Sequence, residues 1–523
     1  MKSSLEGLLG PLRLPIWGMM SLWLAMVVGT LCWLENLTTI AEASYCFMDA
    51  VLWVDGLINF QYGDVISGQV EGDRPPLSLW MGAWLYAFGY SEVQALQMVA
   101  RLSFSVLVAT TLIGLLRWTS PLVIIGAVGM MMGSSAFGKL IIWLNAEMLV
   151  NALFVVHLFV GWSLLRAEPS SVWQRRGWLV GTGLVAGLAV CAKEQGILLF
   201  PLSVLGVVGL TWSGWRSAFA RLGWYMLGAV PLLGWYGVHL YAQWIYGEKW
   251  KIFTSDLSLM AGATDFDGQM QLETTWGSFG QRFGLTDSWW SFLDASSSSL
   301  MQDMKTPILF CLGFSLFTAV SLWARNFWLT KPTTVRWGEG IWIFVHLLAV
   351  VPLIVVPIFE PYHYTVLWAP AVILLAWSTQ VWLDIFRWKG LLALSGLLWF
   401  TWNGSSIEQT LQLERETCIS TRIMSVRGWM RQQTSRRATL WVTDSLTQYD
   451  KAIYPQRAKA YSQYEGECSY QDYVATSGLS NEAALFASER EQFPKAWSKV
   501  HEVVSINKEV WQIYRAVCHE RVE

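Results

Sequence analysis

Long apolar stretches alternate with short polar segments over most of this 523-residue chain. A helix needs about 20 mostly apolar residues to cross the hydrocarbon core of a bilayer. By that measure the pattern predicts eleven membrane spans, at roughly 14–34, 97–116, 120–138, 146–165, 177–192, 196–212, 222–244, 306–324, 338–357, 364–384 and 389–403.

The stretch 77–90 is apolar but rich in Trp and Tyr, so it could either cross the membrane or lie in the interface. Loop charge decides between the two, because cytoplasmic loops carry an excess of Lys and Arg. With 77–90 on the surface, the eleven spans put all the main basic positions on one face, and with 77–90 crossing they do not. We therefore predict an interfacial helix at 77–90 and a cytoplasmic face that holds Lys2, Arg13, Arg117, Arg166, Arg175, Arg176, Arg216, Arg221, Arg325, Lys331, Arg336, Arg387 and Lys389.

Composition supports a polytopic α-helical membrane protein. The chain is 54% hydrophobic and 14% charged, whereas soluble domains are about 25% charged. The net charge of −2 gives no reason to expect nucleic acid as a partner. The first apolar run follows Lys2 and Arg13 and has no small-residue cleavage site after it, which predicts a retained signal anchor with a cytoplasmic N-terminus.

The composition becomes polar from about residue 404. A helix is expected at about 406–433, a buried strand at 438–445 and a hairpin of strands at 502–517, which together favour a small α/β domain. The predicted organisation is a transmembrane module over 1–403 and an extracytoplasmic domain over 404–523, which would cover the membrane part or bind a membrane-protein partner.

The seven cysteines lack the spacing of a metal site. Cys32, Cys191 and Cys311 lie in apolar runs and are predicted to be small buried hydrophobic residues. In the polar tail, one disulfide can form among Cys418, Cys468 and Cys518 if that tail faces an oxidising compartment, but the sequence does not fix the pairing.

The predicted topology gathers polar segments on the extracytoplasmic face. They are the first loop, 35–96, which contains interfacial helices; the large loop, 245–305; and three short breaks between spans, at 145–147, 193–196 and 360–363. A charged group next to a bilayer is costly, and by default it indicates a functional site.

Each charged candidate also has a plainer interpretation. Arg74, just before two prolines, can hold a phosphate through two parallel hydrogen bonds or can reach lipid phosphates. Lys193 and Glu194 can form a local ion pair in a tight turn. Glu147 can simply stabilise a helix N-terminus, and His363 can be an interfacial histidine without a task.

The order of these segments resembles the GT-C glycosyltransferases, in particular the branch with lipid A aminoarabinose transferases and protein O-mannosyltransferases. The resemblance covers about 14–400 together with the outward-facing tail. It is carried by Ala41–Tyr45, Asp73–Leu77, Phe88–Glu92, Ala100–Leu102, Asn145–Met148, Lys193–Gly196, and His363–Tyr364 before a span that contains Pro370.

The resemblance implies a GT-C-like fold of about eleven transmembrane helices in the cell inner (plasma) membrane, with a periplasmic C-terminal domain. It implies transfer of a sugar from a polyprenyl-phosphate-linked donor to an extracytoplasmic acceptor, with membrane lipids as further partners. Glu42 would be the general base, Glu147 a second acidic group, and Arg74 and Lys193 the donor phosphate ligands. Supporting roles would fall to Asp49, Asp64, Asp73, Arg101, Glu194 and His363.

The chain departs from the family pattern at two positions. The acidic pair opens with Ala41 where the family has Asp, and Ser44 stands where a basic residue is common. Either Glu42 serves alone, helped by Asp49 or Asp64, or the chain is an inactive relative that binds a lipid-linked glycan as an assembly subunit. No cofactor is predicted; a divalent metal stays an open alternative without support, because 245–305 contains no His to join Asp73. A transporter is disfavoured, since no internal repeat is found.

Overall fold

The computed structural model describes two groups of elements, a set of helices and a sheet near the C-terminus. The described residues are 15–37, 76–90, 92–116, 118–142, 146–166, 172–204, 206, 214–247, 299–328, 337–348, 365–386, 394, 439–442, 458–461, 472–476, 486, 495–504 and 510–518.

The helices come first along the chain. They are α1 (Ile16–Leu37), α2 (Pro76–Ala87), α3 (Glu92–Leu116), α4 (Pro121–Met132), α5 (Ser135–Ile142), α6 (Glu147–Arg166), α7 (Val172–Ala192), a 3₁₀ turn (Glu194–Leu198), α8 (Leu199–Val204), α9 (Trp215–Gly247), α10 (Ser299–Trp328), α11 (Trp337–Leu348) and α12 (Trp368–Phe386), which a short 3₁₀ turn at 365–367 precedes.

Most of these helices lie on predicted spans. Within the described residues, three segments are both long and apolar enough to cross a membrane: Trp17–Glu35, Gln94–Leu116 and Thr365–Ile385. Helix α2 lies in the stretch predicted as interfacial, and its 12 residues rise only about 18 Å, short of the 30 Å hydrocarbon core. The predicted span 389–403 lies outside the described residues apart from residue 394.

The structure corrects the single span predicted at 120–138. Helix α4 ends at Met132, where the N–H of Gly133 donates to the carbonyl of Gly129 at 2.8 Å. Helix α5 then begins with a new cap, because the Ser134 hydroxyl accepts the N–H of Phe137 at 3.5 Å. The break falls at Gly133-Ser134-Ser135, a short polar turn signal, which the prediction of one continuous span passed over.

A second correction concerns the cysteines. Cys191 and Cys311 are buried as predicted, but Cys32 is exposed. It lies on α1, a helix with only 22% of its span buried, so an apolar run at the edge of a bundle does not bury every small residue.

Helix α12 is the central helix of the described bundle. Residues 365–383 are buried throughout, and the helix packs against α4, α10 and α11. The Gln380 side-chain oxygen accepts the Ser120 N–H at 2.7 Å at the start of α4, and the Trp382 indole donates to the Thr318 hydroxyl on α10 at 2.8 Å. Such polar contacts between helices fix their relative positions in an apolar surrounding.

Helices α7 and α9 pack backbone against backbone. A Cβ at Gly183 would lie 1.9 Å from the Tyr225 carbonyl oxygen, and one at Gly228 would lie 2.0 Å from the Val180 carbonyl oxygen. Only glycine permits this approach at either position. Small residues at helix crossings allow the same close packing in membrane proteins generally.

The described strands near the C-terminus form one mixed sheet of the order β2-β1-β3-β5-β4. The strands are β1 (Thr439–Val442), β2 (Ala458–Ala460), β3 (Asp472–Thr476), β4 (Lys495–Val504) and β5 (Val510–Cys518). Strand β1 is parallel to β2 and β3, whereas β5 is antiparallel to β3 and β4.

The sheet contains the strands predicted from the tail. Strand β1 lies within 438–445, and the antiparallel pair β4–β5 is the predicted hairpin, although β4 begins before residue 502. Val474, Phe486, Trp497 and Tyr514 form its apolar core. The helix predicted at 406–433 and the domain boundary at 404 lie outside the described residues.

The α7–α9 contact predicts different outcomes for two neighbouring glycines. Gly183→Ala should destabilise the protein by about 1–3 kcal/mol or more, because the new methyl group meets backbone that no side-chain rotation can move. Gly181→Ala is the matched control, since its Cβ would meet only Val160 Cγ1, at 4.0 Å. Both changes improve helix propensity alike, so thermal unfolding in detergent compares the contacts alone. Equal melting temperatures for the two variants would contradict the close packing.

Candidate functional site

A buried ion pair joins α6 to the turn after α7. The Lys193 ammonium group donates to Glu147 Oε1 across 46 positions of sequence. The side chain of Lys193 is 5% exposed and that of Glu147 is fully buried. Charged groups of this kind are almost never fully buried unless they are paired, so the two residues depend on each other.

The length of α6 places this pair at one face of the membrane. The helix has 20 residues from Glu147 to Arg166 and therefore rises about 30 Å, which is the thickness of the hydrocarbon core. With a charged residue at each end, the helix puts Glu147 at one boundary and Arg166 at the other. On the topology predicted from the sequence, the ion pair would lie at the face opposite the cytoplasmic loops.

The backbone around Lys193 is held in place by a sharp turn. Lys193 is extended at φ −162° and ψ 153°, its N–H donates to the Ala189 carbonyl at 3.0 Å, and its own carbonyl accepts the Gly196 N–H at 2.9 Å. A Cβ at Gly196 would lie 2.1 Å from the backbone of Ala189. Glycine therefore lets the 3₁₀ turn fold back on α7, and this turn presents Lys193 to α6.

A second contact fixes the same end of α6. Asn151 follows Glu147 by one helical turn, so the two share a face, and its side-chain amide donates to the Thr365 hydroxyl at 3.1 Å. Thr365 begins the 3₁₀ turn that leads into α12. Asn151 is buried, and its Oδ1 atom has no hydrogen-bond partner within the described part of the chain.

Arg101 forms another ion pair, between α3 and α1. Its Nη1 atom lies 2.7 Å from Glu35 Oε1 near the C-terminal end of α1, and Arg101 is buried while Glu35 is partly exposed. Arg101 was predicted as a supporting residue, and the structure gives it at least the role of attaching the first helix to the bundle.

The structure does not describe the side chains of the remaining predicted residues. Glu194 begins the 3₁₀ turn, but its side chain is not described. Lying outside the described residues are Glu42, Asp49, Asp64, Asp73, Arg74 and His363. Their roles stay predictions from the sequence.

Sequence reasoning missed three residues of the site. Asn151 had a signal, since it lies one turn from Glu147 within an apolar span. Glu35 had one too, as an acid at the end of the first span, on the face where Arg101 was expected. The need for Gly196 had none, because it follows from how closely the turn approaches α7.

A buried histidine pair lies deeper in the bundle. His157 is ten residues after Glu147 on α6, about 15 Å further along the axis. Its Nδ1 atom lies 3.0 Å from His346 Nε2, its Nε2 atom lies 2.5 Å from the Ser203 hydroxyl, and His346 Nδ1 lies 2.9 Å from the Trp342 carbonyl.

The Trp342 carbonyl fixes the direction of the bond between the two histidines. A carbonyl only accepts, so His346 Nδ1 donates to it, and a neutral His346 then accepts at Nε2 from His157 Nδ1. The Ser203 hydroxyl lies 2.5 Å from both His157 Nε2 and the Leu199 carbonyl, and its single proton can serve only one of them at a time. The chain links α6, α8 and α11 and was not foreseen, because each histidine lies alone in an apolar run.

The start of α6 places one buried cation, Lys193, beside one buried carboxylate, Glu147. Among the described residues, no group of three or more His, Cys, Asp or Glu side chains is placed to hold a metal ion. The Lys193 ammonium group is a buried positive charge, and the Glu147 carboxylate balances it. An incoming phosphate would have to share Lys193 with Glu147 or meet a protonated Glu147.

Breaking the Glu147–Lys193 pair should destabilise the fold strongly. Lys193→Met leaves a carboxylate buried without its cation, which costs about 3–5 kcal/mol. The double variant with Glu147→Met as well should recover most of this loss, and both can be measured by thermal or denaturant unfolding in detergent.

The exposed Lys499–Glu502 pair on β4 supplies the control. Lys499→Met should cost less than about 1 kcal/mol, because exposed pairs contribute little. A Lys193→Met variant as stable as Lys499→Met would show that the buried pair does not hold the helices together.

No protein-family model and no curated protein sequence matches the chain. Among solved structures, it is similar to ArnT from Cupriavidus metallidurans bound to undecaprenyl phosphate, with 12% identity, a TM-score of 0.54, and coverage of 96% of this chain and 98% of that one. It is also similar to the Archaeoglobus fulgidus oligosaccharyltransferase complex with Zn and sulfate, at 10% identity and a TM-score of 0.48, over 93% of this chain and 72% of that one.

The second likeness is too distant to carry an argument, but the ArnT structure extends over nearly the whole of both chains. At 12% identity this likeness shows the fold and nothing finer. Together with the apolar helices, it identifies the chain as an α-helical membrane protein with the GT-C fold.

Proposed function

We propose that this protein is a membrane glycosyltransferase that moves a sugar from a polyprenyl-phosphate-linked donor to an extracytoplasmic hydroxyl group on a lipid, a glycan or a protein. The observation that carries the proposal is the buried Glu147–Lys193 ion pair. It lies at the end of a GT-C bundle whose fold resembles that of an ArnT bound to undecaprenyl phosphate.

The proposed donor site is built around Lys193. A phosphate diester carries a negative charge that a buried ammonium group can neutralise, and charge-assisted hydrogen bonds of this kind are among the strong ones. The Glu147 carboxylate already neutralises the Lys193 ammonium group, so a second cation is needed to bind the donor phosphate. Arg74 is the proposed second cation, because a guanidinium can contact two phosphate oxygens at once.

The proposed reaction needs a base and a stabilised leaving group. Glu42 takes the proton of the acceptor hydroxyl as its oxygen bonds to the anomeric carbon of the sugar. The bond between that carbon and the phosphate oxygen breaks, and polyprenyl phosphate leaves with one further negative charge. Arg74 and Lys193 stabilise that charge as it develops.

Other residues would position the reactants. The Oδ1 atom of Asn151 is a buried acceptor one turn from Glu147 and is suited to a sugar hydroxyl. Asp49, Asp64, Asp73, Glu194 and His363 are proposed to line the mouth with the first loop, and the 404–523 domain to cover it from outside. The protein would lie in the inner (plasma) membrane with this domain in the periplasm.

An inactive relative is the second candidate, and one observation favours it. Ala41 stands where the family pattern has an acid, and a site with one carboxylate fewer could bind a lipid-linked glycan without turning it over. The two candidates share the donor site and differ in Glu42 chemistry, so binding and turnover need separate measurements.

Transfer from labelled undecaprenyl-phosphate sugars to a membrane extract tests the reaction. Glu42→Gln should lower the rate by about 10²–10⁴-fold, the usual worth of a general base, while melting temperature and donor binding stay as in the wild type. Glu6→Gln, in the predicted cytoplasmic segment, is the matched control and should leave the rate unchanged. Full activity of Glu42→Gln would remove Glu42 from the mechanism.

Direct binding of undecaprenyl phosphate separates the candidates further. Arg74→Gln should weaken binding about tenfold or more through the lost charge-assisted contact. A wild-type protein that binds this lipid but transfers none of the sugars supports the inactive relative. A wild-type protein that does not bind it would end both proposals.

A further inference from the structure

The end of the α7–α9 pair remote from Lys193 concentrates arginine. Arg175 and Arg176 lie in the first turns of α7, and Arg216 and Arg221 lie in the first two turns of α9. We call these four residues the arginine cluster. About 24 Å of helix separates Arg176 from the end of α7, so the cluster lies near the opposite membrane face from the Glu147–Lys193 pair.

The two helices run parallel, which brings both N-termini to this end. Residues later in α7 contact residues later in α9. Arg176 lies over the Trp224 ring, and further along both helices the Cys191 thiol donates to the Leu232 carbonyl at 3.2 Å. Each helix N-terminus carries about half a positive charge from its dipole. The dipoles therefore add to the charge of the arginine cluster instead of offsetting it.

The two helices themselves contribute no acidic side chain to this end. Neither Val172–Ala192 nor Trp215–Gly247 contains an Asp or a Glu. Burial, and after it the positive charge of Arg175, lowers the pKa of Arg221, which means that these two guanidinium groups lie near enough to repel. An anion bound between the two helix ends would relieve this repulsion.

Aromatic rings hold one guanidinium group and extend the surface. The Arg176 Cζ atom lies 4.8 Å from the centroids of both Trp173 and Trp224. A ring that stacks on a guanidinium uses its face, so the N–H donors on the edge stay available for an acceptor.

The surface beside the cluster is apolar. Trp173, Trp215 and Phe219 are 72%, 70% and 66% exposed, and the last two stack with centroids 6.2 Å apart. Tryptophan at a membrane interface places its indole at the headgroup level. A ligand for this surface therefore needs an anionic group and an apolar body.

We propose that the arginine cluster and its aromatic neighbours bind the headgroup phosphate of an anionic phospholipid, in the leaflet opposite to the Glu147–Lys193 pair. The guanidinium groups contact the phosphate, and the exposed rings pack against the upper acyl chains. Soluble phosphate lacks the second part, and zwitterionic phospholipid carries an opposing charge. The site is independent of the proposed glycosyl transfer.

Binding to the full-length protein in a neutral detergent tests the site. Phosphatidylglycerol should bind more tightly than phosphatidylcholine by native mass spectrometry and should raise the melting temperature more. Arg175→Gln/Arg176→Gln should weaken phosphatidylglycerol binding about tenfold or more, because it removes the proposed charge-assisted contacts to the phosphate. Raising the salt concentration should lower the affinity of the wild type for phosphatidylglycerol towards that of the variant.

A matched variant separates a built site from the general charge of that face. Arg325→Gln/Arg336→Gln removes two arginines that are predicted on the same face but are not part of the proposed contact. It should change phosphatidylglycerol binding by less than about twofold, because exposed charges without direct contact are largely screened by salt. Equal losses in the two double variants would reduce the effect to general surface charge and overturn the proposal. Equal binding of the two phospholipids would also overturn the proposal. The same holds if inorganic phosphate stabilises the protein as well as phosphatidylglycerol does.

Discussion

The architecture depends on one electrostatic constraint: a charge inside an apolar bundle must meet its partner there. Glu147 and Lys193 satisfy it together, one at the start of α6 and the other in the turn after α7. Because the cost of separating them is large, the pair sets how these two helices meet. The pair is also one helical turn from Asn151, whose hydrogen bond to Thr365 attaches the beginning of α12 to α6.

Helix α6 makes most of the polar contacts that follow from this constraint. Its first turns bind the turn after α7 and the start of α12, and its middle reaches α8 and α11 through His157. Each of these partners comes from a different part of the chain. The bundle therefore does not need long regular spans throughout. The broken helices α4–α5 and α7–α8 are compatible with it.

Much of this was accessible from the sequence because apolar stretches and isolated charges are local signals. Glu147 and Lys193 were each identified as costly charges at span ends, and the order of motifs indicated the GT-C fold. The pairing itself was not accessible, since the sequence around Lys193 offers Glu194 as a nearer partner. Contacts between helices depend on which faces meet, and no local pattern records that.

The same limit explains the other misses. The break at Gly133 did have a local signal, because Ser134 and Ser135 follow it, but a hydropathy average over about 20 residues does not resolve so short a turn. Gly183 and Gly228 are ordinary residues in the sequence and become essential only where two backbones touch. His157 and His346 lie alone in apolar spans, and only the tertiary structure brings them together.

The short α7 has a consequence for the bilayer itself. Its apolar length between Arg176 and Ala192 is about 24 Å, several ångströms less than a typical hydrocarbon core of about 30 Å. Backbone contact with α9 prevents α7 from moving independently to compensate. A shortfall of this size is met by tilt of the α7–α9 pair as one unit, by arginine side chains that reach the headgroups, or by local thinning of the bilayer.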